Sequence, residues 1–201
     1  MKKMMMIAAM MIAAVSANAQ NEVGQLTLQP KVGINIANIT GDAVEGYSKK
    51  AKVGLVAGVE AEYGISENFG LAFGLLYSME GCKAKHELWG NGELLGTQSV
   101  NENLDYLNIP ILAQYYVVKG FAIKAGIQPA FNVRHKQTGD VESTLDDIKS
   151  FNFSIPVGLS YEYQSFVLDA RYNIGLTKIV KDAEQGRNST FSITIGYKFA
   201  L

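Results

Sequence analysis

Apolar and polar residues alternate with a period of two in eight separate segments of this 201-residue chain. Because successive side chains of a β-strand point to opposite faces of a sheet, this pattern predicts strands with one apolar and one polar face. A helix would need apolar residues three and four positions apart, and the segments do not supply them. The eight predicted strands span residues 31–36, 53–63, 69–80, 107–117, 121–134, 151–163, 166–176 and 191–199.

The connections between these strands alternate strictly between short and long. An antiparallel meander with all its tight turns at one end produces this order, and transmembrane β-barrels have short periplasmic turns and long external loops. We therefore predict an all-β fold, namely an eight-stranded antiparallel up-and-down transmembrane β-barrel with both termini on the periplasmic side. The predicted long loops are residues 37–52, 81–106, 135–150 and 177–190.

The direction of the apolar face separates two kinds of eight-stranded barrel. A soluble lipocalin-like barrel turns this face inward around a ligand, whereas an outer-membrane barrel turns it outward to lipid. The apolar face carries most of the Phe and Tyr residues, and the other face is mostly Gly, Ala, Ser, Asn and charged residues. Because an eight-stranded interior is only just wide enough for side chains to fill, the bulky face is predicted to point outward.

Charged residues of both signs fall on the predicted lumen face in nearly equal numbers. Buried charges persist only when they are paired, so we predict a structural network of ion pairs that fills the narrow interior. A polar conduit or a binding cavity is the alternative interpretation of the same residues. The predicted network consists of Lys31, Lys52, Glu60, Glu62, Glu80, Lys124, Arg134, Glu162, Asp169, Arg171 and Lys198.

Aromatic residues gather near the short turns and the C-terminus. Aromatic girdles at both membrane interfaces are characteristic of transmembrane barrels, although aromatic residues are also enriched in ordinary strands. We predict a periplasmic aromatic girdle formed by Tyr63, Phe69, Tyr115, Phe121, Tyr161, Tyr163, Phe166, Tyr197 and Phe199.

The N-terminus has the pattern of a secretory signal peptide. Lys2 and Lys3 precede an apolar run over residues 4–15, and an Ala-x-Ala site ends at Ala19. The run is too short for a transmembrane helix, which needs about 20 residues. We expect cleavage after Ala19, so that residues 1–19 are the signal peptide and residues 20–201 form the barrel domain.

Composition excludes several other classes of protein. The formal net charge of −1 provides no basic excess for nucleic acid, and the single cysteine excludes a disulfide framework. The two histidines, His86 and His135, fall in predicted loops without a serine at a spacing that indicates catalysis. We therefore expect no enzyme, no catalytic residue, no cofactor and no metal site.

Three stretches of the sequence resemble one known family. Tyr106–Leu112 is similar to the YLxIPLL motif of the PorT-like outer-membrane β-barrel proteins of Bacteroidetes. Leu168–Leu176 resembles that family's penultimate strand, and Lys31–Asn35 resembles its first strand. The resemblance implies an eight-stranded outer-membrane barrel in a Gram-negative host, and it carries no catalytic residues.

The loops are the expected carriers of specificity. Leu88, Trp89, Leu94 and Leu95 could form a contact patch for a partner, or they could belong to a hairpin around the Asn-Gly pair at 91–92. The expected partners are outer-membrane lipid and an envelope or secretion-complex protein. A non-catalytic barrel with partner-binding loops or an envelope-structural role is the first hypothesis. The others are a narrow channel or transport accessory, and a lipid-modifying enzyme.

Overall fold

The computed structural model describes residues 23–40, 47–90, 93–139, 149–178 and 186–201. These residues form ten strands, and no helix among them is long and apolar enough to cross a membrane. The predicted signal peptide lies outside the described residues. The strands are β1 Leu26–Thr40, β2 Tyr47–Ser66, β3 Phe69–Gly90, β4 Glu93–Asn108, β5 Ile111–Val118, β6 Phe121–Gly139, β7 Phe151–Tyr163, β8 Phe166–Lys178, β9 Arg187–Tyr197 and β10 Phe199–Ala200.

The ten strands close into a ring with eight antiparallel positions. β4 and β5 follow each other in one position, because both pair with β3 on one side and with β6 on the other. β9 and β10 likewise share the last position, and both pair with β1 to close the barrel. Each remaining pair joins strands that are neighbours in sequence, so the predicted eight-stranded up-and-down barrel is confirmed.

Two prolines interrupt the hydrogen bonding of the wall without opening it. Pro110 lies between β4 and β5, where its carbonyl accepts a hydrogen bond from the Gly74 amide at 3.0 Å. Pro156 lies inside β7, at a gap in the ladder that pairs β6 with β7. Proline has no amide hydrogen to donate, which accounts for the gap. Both prolines are fully buried.

The bulky apolar residues line the outside of the barrel. Along β8 the burial alternates at nearly every residue, with Leu168, Tyr172 and Ile174 exposed and Asp169, Arg171 and Asn173 buried. The same separation holds on β1, where Val32 and Ile34 are exposed and Lys31 and Asn35 are buried. The predicted outward direction of the apolar face is confirmed, and the lipocalin-like alternative is wrong.

The strands at one end of the barrel are longer than their alternation predicted. β3 continues to Gly90 and β4 begins at Glu93, so most of the predicted loop 81–106 is a β-hairpin. β6 continues to Gly139, well into the predicted loop 135–150. The β1–β2 ladder ends at Lys52 and the β6–β7 ladder ends at Phe131, whereas β2, β3, β4 and β6 remain paired with one another beyond these points. We call this extension the projecting sheet, and it consists of residues 47–51, 81–90, 93–105 and 132–139.

Candidate functional site

The lumen is the part of the barrel where charged and polar side chains converge. Its central cluster contains Lys31 from β1, Glu60 from β2, Lys124 from β6, and Asp169 and Arg171 from β8. Lys31 Nζ donates to Glu60 Oε2 at 2.7 Å and lies 3.5 Å from Asp169 Oδ2. Lys124 Nζ donates to the same Asp169 oxygen at 2.9 Å. All five residues are buried, and the structure brings them together as one network.

Arg171 connects two strands of the wall that are not neighbours. Its Nη1 donates to Glu60 Oε1 at 2.8 Å and its Nη2 donates to Asp169 Oδ2 at 3.0 Å. Gly74 leaves the space that the Glu60 side chain occupies, because a Cβ atom at this position would lie 2.5 Å from Glu60 Cγ. The guanidinium thus ties β8 to β2 across the interior, between residues that no ladder pairs.

A second cluster lies at the end of the barrel that carries the short turns. Lys198 Nζ lies 2.6 Å from Glu162 Oε2 and 2.9 Å from Glu62 Oε2. The Tyr116 hydroxyl donates to Glu62 Oε1 at 2.6 Å. Lys198 separates β9 from β10, so the irregularity in the last barrel strand coincides with the residue that joins these two carboxylates.

Glu80 lies apart from both ion-pair clusters, in a cage of neutral donors. Ser78 Oγ donates to Glu80 Oε1 at 2.8 Å, and Thr190 Oγ1 donates to Oε2 at 3.1 Å. Asn108 and Asn188 donate their amide hydrogens to the same carboxylate. Four donors match the lone-pair sites of an ionised carboxylate. Glu80 was predicted as a member of an ion-pair network, but no cation among the described residues lies within ion-pair distance of it.

Two predicted members of the network are placed elsewhere. Arg134 was predicted in the lumen, but its side chain is 59% exposed, and its Nη1 atom lies 3.8 Å from Asp105 Oδ2. The Tyr77 hydroxyl donates to the same Asp105 carboxylate at 2.6 Å. The β4–β6 register shifts between Asp105 and Tyr106, and such a bulge re-aims side chains. Lys52 is half-buried and donates to the Glu80 carbonyl and to Asn103 Oδ1 rather than to a carboxylate.

Sequence reasoning missed several residues of these clusters. Tyr116 follows Tyr115 directly, so the alternation that sends Tyr115 outward was sufficient to place Tyr116 inward. The predicted loops contained three more of these residues, whose side chains were therefore assigned neither to the lumen nor to the outside: Asp105, Asn188 and Thr190. Extending the alternation back from the exposed Phe191 would have placed Thr190 and Asn188 inward, but it would have placed Asp105 outward, because a bulge interrupts the alternation there.

A small cavity lies in the described interior between two of the clusters. A cavity of about 20 Å³ lies between the central cluster and the Glu80 cage, lined by Lys31 and Arg171 on one side and by Ser78 and Asn108 on the other. This volume holds about one water molecule.

The predicted aromatic girdle collects at the short-turn end of the wall. Tyr63, Tyr115, Tyr161, Tyr163 and Phe166 are exposed on the outside of the barrel. The rest of the set is half-buried: Phe69, Phe121, Tyr197 and Phe199. The Tyr197 ring contacts those of Phe166 and Phe199, at centroid distances of 5.1 and 4.7 Å. These positions suit a membrane interface, and that role stays a prediction.

The predicted loop patch lies at the tip of the β3–β4 hairpin. Trp89 pairs with Leu94 and Gly90 pairs with Glu93, so this backbone forms a hairpin around residues 91–92, which lie outside the described residues. Leu88 and Leu95 belong to the same two strands. Their use as a contact patch stays a prediction.

The family model for the outer membrane protein beta-barrel domain matches residues 18–181, most of the chain. The chain belongs to this family. It is therefore a small outer-membrane β-barrel protein, in agreement with its outward apolar wall. No curated protein sequence matches it significantly.

Solved structures of outer-membrane barrels share the fold. Neisserial surface protein A is 15% identical with a TM-score of 0.50, and the match covers 87% of this chain and 97% of that one. OprG from Pseudomonas aeruginosa is 10% identical with a TM-score of 0.50, and the match covers 92% of this chain and 99% of that one. At these identities the likeness establishes the eight-stranded fold alone.

Proposed function

We propose that this protein is a non-catalytic outer-membrane barrel with a closed lumen, whose extracellular strands bind a partner or serve a structural role in the envelope. The observation that carries the proposal is the interior crossing by Arg171, which joins Glu60 and Asp169 through buried, charge-assisted hydrogen bonds. Removing one partner of such a buried pair costs about 3–5 kcal/mol. The central cluster therefore acts as a plug, since ions cannot pass without disrupting it.

The orientation that we propose places the short turns in the periplasm and the projecting sheet outside the cell. The general asymmetry of outer-membrane barrels supports it, because their periplasmic turns are short and their external segments are long. The exposed aromatic side chains at the short-turn end suit a membrane interface on that side, which this orientation requires. Export by a signal peptide cleaved after Ala19 completes this part of the proposal.

We also place the chain in the PorT-like branch of outer-membrane barrels from Bacteroidetes. The support is the Tyr106–Leu112 motif, which spans the junction of β4 and β5. Tyr106, Pro110 and Leu112 are all buried, so the motif fixes the inner face of the wall where its hydrogen bonding is interrupted.

Conductance across a planar lipid bilayer tests the closed lumen. We expect no stable open-channel current from the wild-type barrel, and increased current noise from Arg171→Ala because the plug loses its central cation. Ile193→Val, an outward substitution on β9, is the matched control and should behave like wild type. Steady wild-type currents that survive deletion of the β3–β4 tip would overturn the proposal and favour a narrow channel or transport accessory.

Co-purification from native membranes tests the proposed recognition role. We expect a protein partner that is lost when the tip residues 88–95 are replaced by a short Gly-Ser linker, while the barrel remains folded by heat-modifiable migration. Retention of that partner by the linker variant would contradict binding through the hairpin tip. A barrel that purifies alone would leave the envelope-structural role as the remaining form of the proposal.

A further inference from the structure

The outer surface of the barrel changes from apolar to basic where the projecting sheet begins. On β2, Val53 is an exposed residue of the apolar wall, and the exposed Lys50 lies three residues further towards the projecting sheet. On β3, Tyr77 is exposed on the wall and Lys83 is exposed six residues further along. The β3–β4 register is unbroken over this stretch, so Lys83 lies on the same outer face as Tyr77.

Two lysines of this surface face each other across neighbouring strands. Lys50 of β2 pairs directly with Lys83 of β3, so the two side chains share the outer face. Directly opposite residues have Cβ atoms about 5 Å apart, and like charges at this distance destabilise the pair. Neither lysine forms an ion pair with another residue that the structure describes. An anion bound between them would turn this repulsion into two attractive contacts.

Polar and basic groups continue the same face on β4 and β6. Asn101 of β4 pairs with the β3 lysine and Thr138 of β6 pairs with Asn101, so the row crosses four strands over roughly 14 Å. Lys136 is exposed beside this row, where it pairs with Asn103. The Asn103 amide donates to Thr138 Oγ1 at 3.1 Å and accepts from Lys52 Nζ at 2.7 Å. Hydrogen bonds therefore join the basic residues of β2 and β6 across this face.

The structure engages a nearby acidic side chain with other groups. Asp105 is buried, lies 3.8 Å from Arg134 Nη1 and accepts a hydrogen bond from the Tyr77 hydroxyl. The face consequently presents an excess of positive charge directly above the apolar wall. An amphiphilic ligand, with acyl chains below and an anionic group above, matches this order of surfaces better than a soluble anion does.

We propose that this face binds phosphate groups on lipid headgroups of the outer leaflet. Lysine forms charge-assisted hydrogen bonds to phosphate, and each basic residue near a membrane surface strengthens binding to anionic lipid about fivefold. The inference rests on the proposed orientation and makes the envelope-structural role specific, because the barrel would cross-link lipid headgroups around the projecting sheet. The lysines that form this basic row are Lys50, Lys52, Lys83 and Lys136.

Lipid titration of the mature barrel in neutral detergent micelles, followed by native mass spectrometry, tests the proposal. The probe is lipid A with both phosphate groups, and enzymatically dephosphorylated lipid A with the same acyl chains is the control. We expect the dephosphorylated form to bind at least tenfold more weakly, and inorganic phosphate not to displace the lipid. Equal binding of both forms, or no binding of either, would overturn the proposal. Displacement by inorganic phosphate would show a soluble-anion site instead of a lipid site.

The double variant Lys50→Gln, Lys83→Gln tests the paired lysines. Its dissociation constant for phosphorylated lipid A should rise about 25-fold, since two basic residues are lost. Lys119→Gln is the matched control, because Lys119 is exposed in a short turn at the opposite end of the barrel. It should leave lipid binding unchanged. An equal effect of the double variant and the control would reject the basic row.

Unfolding titrations separate a binding role from a structural one. In vesicles of phosphatidylcholine alone, the double variant should be at least as stable as wild type, because the like-charge pair is gone. Addition of phosphorylated lipid A should stabilise wild type more than the variant. Equal stabilisation of both would contradict the proposal. A protein partner that co-purifies with a barrel lacking lipid selectivity would reject this inference and leave the proposed recognition role intact.

Discussion

Strand β8 and the end of β6 beyond Phe131 differ in the exposure of their side chains. Along β8, exposed apolar residues such as Leu168 and Ile174 alternate with buried polar residues such as Asp169 and Arg171. From Val133 to Lys136, every residue is exposed. A strand in the barrel wall separates lipid from a packed interior, whereas this end of β6 has exposed side chains on both faces. The difference shows that apolar and polar residues alternate where a strand has lipid on one face and a packed interior on the other. The alternation is therefore not a property of every strand.

Arg171→Ala should have the largest effect, and it tests whether the central ion-pair cluster stabilises the barrel. The substitution leaves Glu60 and Asp169 without their shared guanidinium, and we expect a loss of about 3–5 kcal/mol in the free energy of unfolding. Unfolding titrations in lipid vesicles measure it. Asn173→Ala, which removes a neutral lumen side chain from the same strand, is the control and should cost about 1 kcal/mol. Equal effects would show that the central cluster contributes no more than any buried polar residue.

Ile174→Arg tests the outer side of the same strand. Ile174 is exposed on the apolar wall, and an arginine there would face hydrocarbon. We expect a cost of about 2–4 kcal/mol near the bilayer midplane, measured by the same titrations in vesicles. A harmless Ile174→Arg together with a severe Asn173→Ala would mean that the two faces of β8 are assigned the wrong way round.

The alternation predicted the eight wall positions and the outward apolar face, because both follow from lipid on one side and a narrow interior on the other. It predicted too little strand at the end opposite the short turns, since β3 and β4 continue there as a hairpin to Gly90 and Glu93. Arg134 is the last residue of the predicted strand 121–134 and was assigned to the lumen by the same alternation, but its side chain is exposed. The bulge after Asp105 could not be inferred from residue types.

Charge counting predicted that lumen ions would pair, but it could not determine which ones. The central cluster forms because the register of four strands places its five residues at one height in the barrel, namely Lys31, Glu60, Lys124, Asp169 and Arg171. Glu80 also faces the lumen, from β3, but it is surrounded by hydroxyl and amide donors instead. Registers arise from the closure of the whole sheet, so sequence alone does not specify these partners.

Glu80→Gln tests how the neutral cage differs from the central cluster. The variant keeps the shape but replaces one acceptor oxygen with an amide donor, which then opposes the donors that surround it. We expect a loss of about 1–3 kcal/mol. Glu60→Gln is the matched comparison in the central cluster and should cost more, because Lys31 and Arg171 lose the charge they both contact. A larger cost at Glu80, in the same unfolding titrations, would contradict this order.

Val133→Arg should have the smallest effect of these substitutions. Its size tests where the membrane-facing wall ends and the projecting part of β6 begins. Val133 is an exposed apolar residue like Ile174, but its neighbours Arg134, His135 and Lys136 are exposed as well. If the hydrocarbon ends below this level, an added arginine stays in the interface or in water, where its cost is about 0–1 kcal/mol. Unfolding titrations of Val133→Arg and Ile174→Arg in the same vesicles give the comparison. A cost at Val133 equal to that at Ile174 would place residue 133 inside the bilayer, and the projecting part of β6 would then begin further along the strand.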